Sequence, residues 1–73
     1  MTDTKMLEEL INKSGLKRGF IAQALNISNQ ALYNKIRNIT EFKPSEIVIM
    51  CKLLNITDLT IREQIFFWLS VAK

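Results

Sequence analysis

Apolar residues along this chain recur three and four positions apart in five stretches, separated by Gly, Asn, Ser, Thr and Pro. That period is the signature of amphipathic helices. In the first stretch Leu7, Leu10 and Ile11 share a face; Asp3 or Thr2 can cap its start, and Gly15 suits the left-handed position just past its end. The second runs from about Lys17 to Leu25, with Phe20, Ile21, Ala24 and Leu25 on one side and Leu16 at its entrance. Asn26-Ile27-Ser28 then interrupts: Asn tolerates positive φ, and Ser is a good N-cap.

The third stretch, about Asn29 to Arg37, turns only Leu32 and Ile36 inward, with Ala31 permitting close approach. Its other residues are Asn29, Gln30, Asn34, Lys35 and Arg37, plus the amphipathic Tyr33. A helix with so narrow an apolar seam leaves a wide polar flank uncovered by its own fold. Asn38–Lys43 reads as a loop. Pro44, Ser45 and Glu46 suit the start of a fourth helix, roughly Ser45–Leu54. Ile47, Val48, Ile49, Met50, Cys51, Leu53 and Leu54 make that helix apolar nearly all round, so it is expected at the centre of the core, with Cys51 as inert filling and Asn55 as its C-terminal cap. Thr60 and Glu63 have capping-box spacing and place the start of a fifth helix near them. The predicted fold is all-α, one domain over residues 1–73.

Composition narrows the chemistry. The chain has 73 residues, 48% of them hydrophobic and 23% charged, which is ordinary globular composition. A single Cys and no His exclude a disulfide framework, a multi-Cys zinc site and any catalytic triad, so no cofactor, metal or enzymatic activity is expected. The longest apolar runs, Ile47–Cys51 and Ile65–Leu69, fall far short of the roughly 20 residues of a membrane span. With no secretory signal either, the expected location is cytoplasmic. Neither a membrane nor a small-molecule substrate is an expected partner.

The net charge of +3 is unevenly placed. Residues 1–13 sum to −1 and residues 44–73 to zero, while residues 14–43 sum to +4 through Lys17, Arg18, Lys35, Arg37 and Lys43 against Glu41. A localised basic stretch also fits a merely solvated face, but beside a polar helix it fits a polyanion. Two short helices joined by a tight turn make a helix-turn-helix, here over about 17–37, which sets its second helix in the major groove of duplex DNA. Asn29, Gln30, Tyr33 and Asn34 are the expected base readers, the amides through paired donor and acceptor groups that match adenine. Lys17, Arg18, Ser28, Lys35 and Arg37 are the expected phosphate contacts, which give affinity without direct sequence information. Glu8 and Glu9 are neighbours on a helix, cannot face each other, and are assigned to the surface.

Leu16–Leu54 resembles the lambda-repressor-like helix-turn-helix family (Cro and CI type). The specific part is IAQALNIS followed by ALYNKI, with KPSEIVIMCKLLNIT similar to the family's fourth helix. The resemblance implies the five-helix fold of that family. It also implies a small phage Cro-type regulator of the lysis–lysogeny switch, binding operator DNA, associating with the phage CI repressor, or both. It departs from the family pattern at Asn26, where Gly is common, and at Lys17-Arg18, where Gln often opens the second helix. At 73 residues, no added oligomerisation or cleavage domain is expected.

Ile61, Ile65, Trp68, Leu69 and Ala72 form a helical stripe toward the core, and Phe66 and Phe67 fall outside it. Those two are the expected partner interface, serving a homodimer or a heterologous protein. Dimerisation would suit DNA reading by so small a module. The competing function is an antirepressor that binds CI and has little DNA affinity of its own.

Overall fold

The computed structural model describes residues 2–66, and these are all-helical, with five helices and no strand among them. The helices are α1 (Thr4–Ser14), α2 (Arg18–Ala24), α3 (Asn29–Ile36), α4 (Pro44–Leu53) and α5 (Leu59–Phe66). Local chemistry explains most of their limits. Asp3 accepts a hydrogen bond from the Met6 N–H at the start of α1, and Gly15 ends that helix at φ 74°. Ser28 accepts from the Ala31 N–H at the start of α3. Pro44 begins α4, where Glu46 Oε1 accepts from the Lys43 N–H at 2.8 Å. The fifth helix starts one residue before Thr60: Asp58 takes the Thr60 N–H on its carboxylate and the Arg62 N–H on its carbonyl.

Helices α2, α3 and α4 end in the same way. Asn26, Asn38 and Asn55 stand at φ 59°, 64° and 57°. Each donates to the carbonyl three residues back, and the Ile that follows donates to the carbonyl five residues back: Ile27 to Ala22, Ile39 to Asn34, Ile56 to Cys51. This is the Schellman arrangement, with Asn in the place usually held by Gly. The tripeptides Asn26-Ile27-Ser28, Asn38-Ile39-Thr40 and Asn55-Ile56-Thr57 therefore mark three helix exits. Asn26 is exposed, so its contribution is through the backbone. Asn26→Ala should cost up to about 1 kcal/mol, because Ala lacks the short polar side chain that makes Asn tolerant of the left-handed region, and Asn26→Gly, which removes the Cβ, should be neutral or slightly stabilising. Thermal melts of the two variants check this.

The buried faces of all five helices meet in one cluster, built on Leu7, Ile11, Ile21, Leu32, Ile36, Ile47, Met50 and Ile65. α2 packs most extensively on α3, while α1 touches α3 and α5. The N-terminal segment ties these together: the Asp3 N–H donates to the Ile65 carbonyl, and the Thr4 hydroxyl to the Ile36 carbonyl. Four sequence expectations about the core change, the first being that Ile61, expected to face it from α5, is 38% exposed while Ile65 is buried. α4 is not apolar to its neighbours all round, because it buries Ile47, Met50 and Glu46 but leaves Val48 47% exposed. On α2 Ile21 and Leu25 are buried but Phe20 and Ala24 are exposed. Cys51 is half-buried, lining a groove between α4 and α5 with Val48, Ile56, Leu59 and Arg62. Burial pushes its thiol up, against the opposing pull of Arg62. No helix among the described residues is long and apolar enough to cross a membrane.

Candidate nucleic-acid interface

Helix α3 is held by its narrow seam, as its pattern demands: Leu32 and Ile36 are 1% and 2% exposed. With about 100° between successive residues, Gln30, Tyr33, Asn34 and Arg37 fan over the opposite flank, while Asn29 falls on the seam side and is uncovered at the amino end of the helix. Asn29, Gln30, Tyr33 and Arg37 are exposed, and Asn34 is half-buried. Within the flank, Gln30 Nε2 donates to Asn34 Oδ1 at 2.9 Å, so the two amides form a linked pair. The Arg37 guanidinium lies 5.7 Å from the centre of the Tyr33 ring, a cation–π distance that keeps the charge over the same surface. At the amino end of α3, Ser28 is exposed but its Oγ is already engaged in capping. A Cβ built on Gly19 would lie 3.9 Å from Asn29 Oδ1, which sets the start of α2 beside the start of α3.

Lys17 and Arg18, at the entrance to α2, are both exposed. The four expected base readers and four of the five expected phosphate contacts thus share the surface of the α2–α3 pair. The exception is Lys35. At about 100° per residue it falls within about 60° of Leu32, on the inward side. It is 8% exposed, its Nζ lies 2.8 Å from Glu46 Oε1 and 3.0 Å from the Glu41 carbonyl, and it sits 6.0 Å from the Phe42 ring centre. Its charge is spent inside the molecule, so it cannot reach a phosphate. For Glu46, desolvation raises the pKa. The hydrogen bonds from Lys35 and the Lys43 N–H, with the charges of both lysines, outweigh it and hold the carboxyl below its ordinary value.

Phe66 also requires correction as an interface residue. It is 4% exposed and meets Phe42 edge-on, with ring centres 5.4 Å apart. The Asn38–Lys43 segment delivers Phe42 to that spot, a partner that helical periodicity does not reveal. Phe67, Trp68, Leu69 and Ala72 lie outside the described residues.

Glu8, expected on the open surface, instead reaches two of the phosphate candidates. Its carboxylate oxygens lie 3.7 Å from Arg18 Nη2 and 3.9 Å from Arg37 Nη1. Nothing local in the sequence announces this, since the contact joins α1 to the entrance of α2 and the exit of α3. Among the described residues no three His, Cys, Asp or Glu side chains gather to hold a metal ion. The surface offers side-chain amides, a phenol and unburied cations, groups that can donate and accept hydrogen bonds and pair with anions. Comparison with protein-family models, curated proteins and solved structures finds no match to this chain.

Proposed function

We propose that this chain is a sequence-specific DNA-binding regulator of the lambda-repressor-like helix-turn-helix type, a small phage Cro-type protein acting in the lysis–lysogeny switch inside the bacterial host. The observation that carries the reading is the composition of the outward flank of α3. Gln30, Asn34 and Tyr33 stand beside Arg37, Asn29 is exposed at the amino end of the helix, and Lys17 and Arg18 lie at the entrance to the adjoining helix. In this reading α3 enters the major groove and its amides meet base edges, where one good bidentate pair is worth about 1–3 kcal/mol of discrimination. Lys17, Arg18, Arg37 and the amino end of α3 hold the sugar–phosphate backbone. Occupation of an operator excludes polymerase from the overlapping promoter.

Exposed apolar side chains beside the same pair of helices favour a second reading. Phe20 on α2 is 52% exposed, and Ile39, directly after α3, is 65% exposed. Such residues suit a protein partner better than a phosphate backbone. Here the chain acts as an antirepressor on the phage CI repressor, in the manner of the modulator-of-repression proteins of temperate lactococcal phages that it resembles. Selection from random duplexes, then titration of the chain alone and mixed with the repressor, separates the two. Binding by the chain alone supports the regulator; binding only in the mixed complex, or none, supports the antirepressor.

Arg37→Ala gives a narrower check. It should weaken binding to selected and random duplexes alike and reduce the slope of log affinity against log salt by about 0.9, the value for one phosphate contact. An unchanged slope removes Arg37 from the backbone contacts.

A further inference from the structure

Glu8 is the only acidic side chain that the structure brings into ion-pair range of Arg18 or Arg37 among the described residues. Both guanidinium groups approach one carboxylate, although one opens α2 and the other closes α3. We propose that Arg18 and Arg37 together make one backbone-phosphate subsite, and that Glu8 is its internal counterion, displaced when a DNA phosphate arrives. The inference rests on the duplex-binding reading above and assigns to it a site and a built-in competitor.

The contrast with Lys35 and Glu46 is the physical core of the case. That pair is closed at 2.8 Å, and its side chains are 10% and 7% exposed. The contacts of Glu8 are 3.7 and 3.9 Å long, beyond hydrogen-bonding distance, and the two arginine side chains remain 47% and 48% exposed. Such loose, solvated pairs are weak and exchange readily. A guanidinium fork accepts a phosphate in bidentate fashion, so a phosphate can replace the carboxylate with better geometry. Arg37 stays over the flank of α3 by its position on the Tyr33 ring, so loss of Glu8 does not release it. While Glu8 is present it cancels one of the two charges and repels the incoming anion.

The test compares the full chain with Glu8→Gln, with Glu9→Gln, and with Arg18→Ala/Arg37→Ala in the presence and absence of Glu8→Gln, by titrating a labelled duplex over a range of salt. Glu9 is exposed and carries the same charge on the same helix without touching either arginine, so it controls for net charge. Removing Glu8 is expected to tighten binding about two- to fivefold at low salt and to steepen the salt slope by less than the roughly 0.9 of a whole phosphate contact, since no new phosphate is engaged. The gain should shrink as salt rises. Glu9→Gln should give less than half the gain, and Glu8→Gln should give none once both arginines are absent. Glu8→Ala, in a residue that favours helices, repeats the comparison should the amide disturb folding. Weaker binding by Glu8→Gln would make Glu8 an orienting residue and overturn the proposal. So would an equal gain from Glu9→Gln, or a gain that survives loss of the arginines. Absence of duplex binding by every form, the parent chain included, overturns the duplex-binding reading itself.

Discussion

Glu46→Ala is expected to leave little folded protein, although the residue is far from the outward flank of α3. The substitution strands the Lys35 ammonium at a site where the side chain is 10% exposed, and it deprives the Lys43 N–H of its acceptor. Breaking one partner of a buried pair costs about 3–5 kcal/mol. A domain of this size has about 5 kcal/mol in total, so the loss is comparable to the whole. Lys35→Met combined with Glu46→Leu should recover much of it, since apolar residues of similar volume replace a buried pair with little penalty. Denaturant unfolding followed by circular dichroism checks both. A loss under about 1 kcal/mol for the single variant would mean that the pair behaves as a surface pair does. The sign of the pH response follows from the same contact. The carboxyl of Glu46 is held below its ordinary value in the folded chain, so its stabilisation is present above the unfolded pKa and is lost as pH falls through the folded pKa. Stability should fall on acidification in the parent chain and fall less in Glu46→Gln.

Gln30→Ala should produce the largest change in recognition. Gln30 is exposed and linked to Asn34 at 2.9 Å, so its loss removes one reader and frees the other to reorient. On a selected duplex the cost should be about 1–3 kcal/mol, a weakening of roughly five- to 150-fold. On random duplexes the affinity should hold, and the salt slope should stay the same, because no phosphate contact is lost. An equal loss on both kinds of DNA would show that Gln30 contributes to general affinity and reads no base. Fluorescence titration against the two duplexes at one salt concentration makes the comparison. Asn34→Ala should follow the same pattern with a smaller effect, since Asn34 is half-buried.

What could be read from the sequence was what short-range chemistry decides. Asp3, Gly15, Ser28 and Asn26 act on backbone groups within five positions of themselves, and each is where its residue type implies. Leu7 with Ile11, and Leu32 with Ile36, share faces through helical spacing alone. Asn38 uses the same signal as Asn26 and Asn55, yet the segment it opens reads as plain loop unless the three Asn-Ile-Ser/Thr tripeptides are set side by side. Lys35 shows residue type misleading where position did not: its place near Leu32 on the helix points inward, but a lysine suggests a surface. Glu46, eleven residues on, is what makes its burial affordable. Phe66 and Glu8 were beyond such reading, because Phe42 and the two arginines that they meet come from other elements.

The most direct measurement is amide mapping by nuclear magnetic resonance, with the isotope-labelled chain titrated by a selected duplex. Perturbations should concentrate at Lys17, Arg18, Ser28, Asn29, Gln30, Tyr33 and Arg37, leaving the groove between α4 and α5 unchanged. Perturbations confined to that groove, or none at saturating DNA, would contradict the reading of α3 as the DNA-contacting helix.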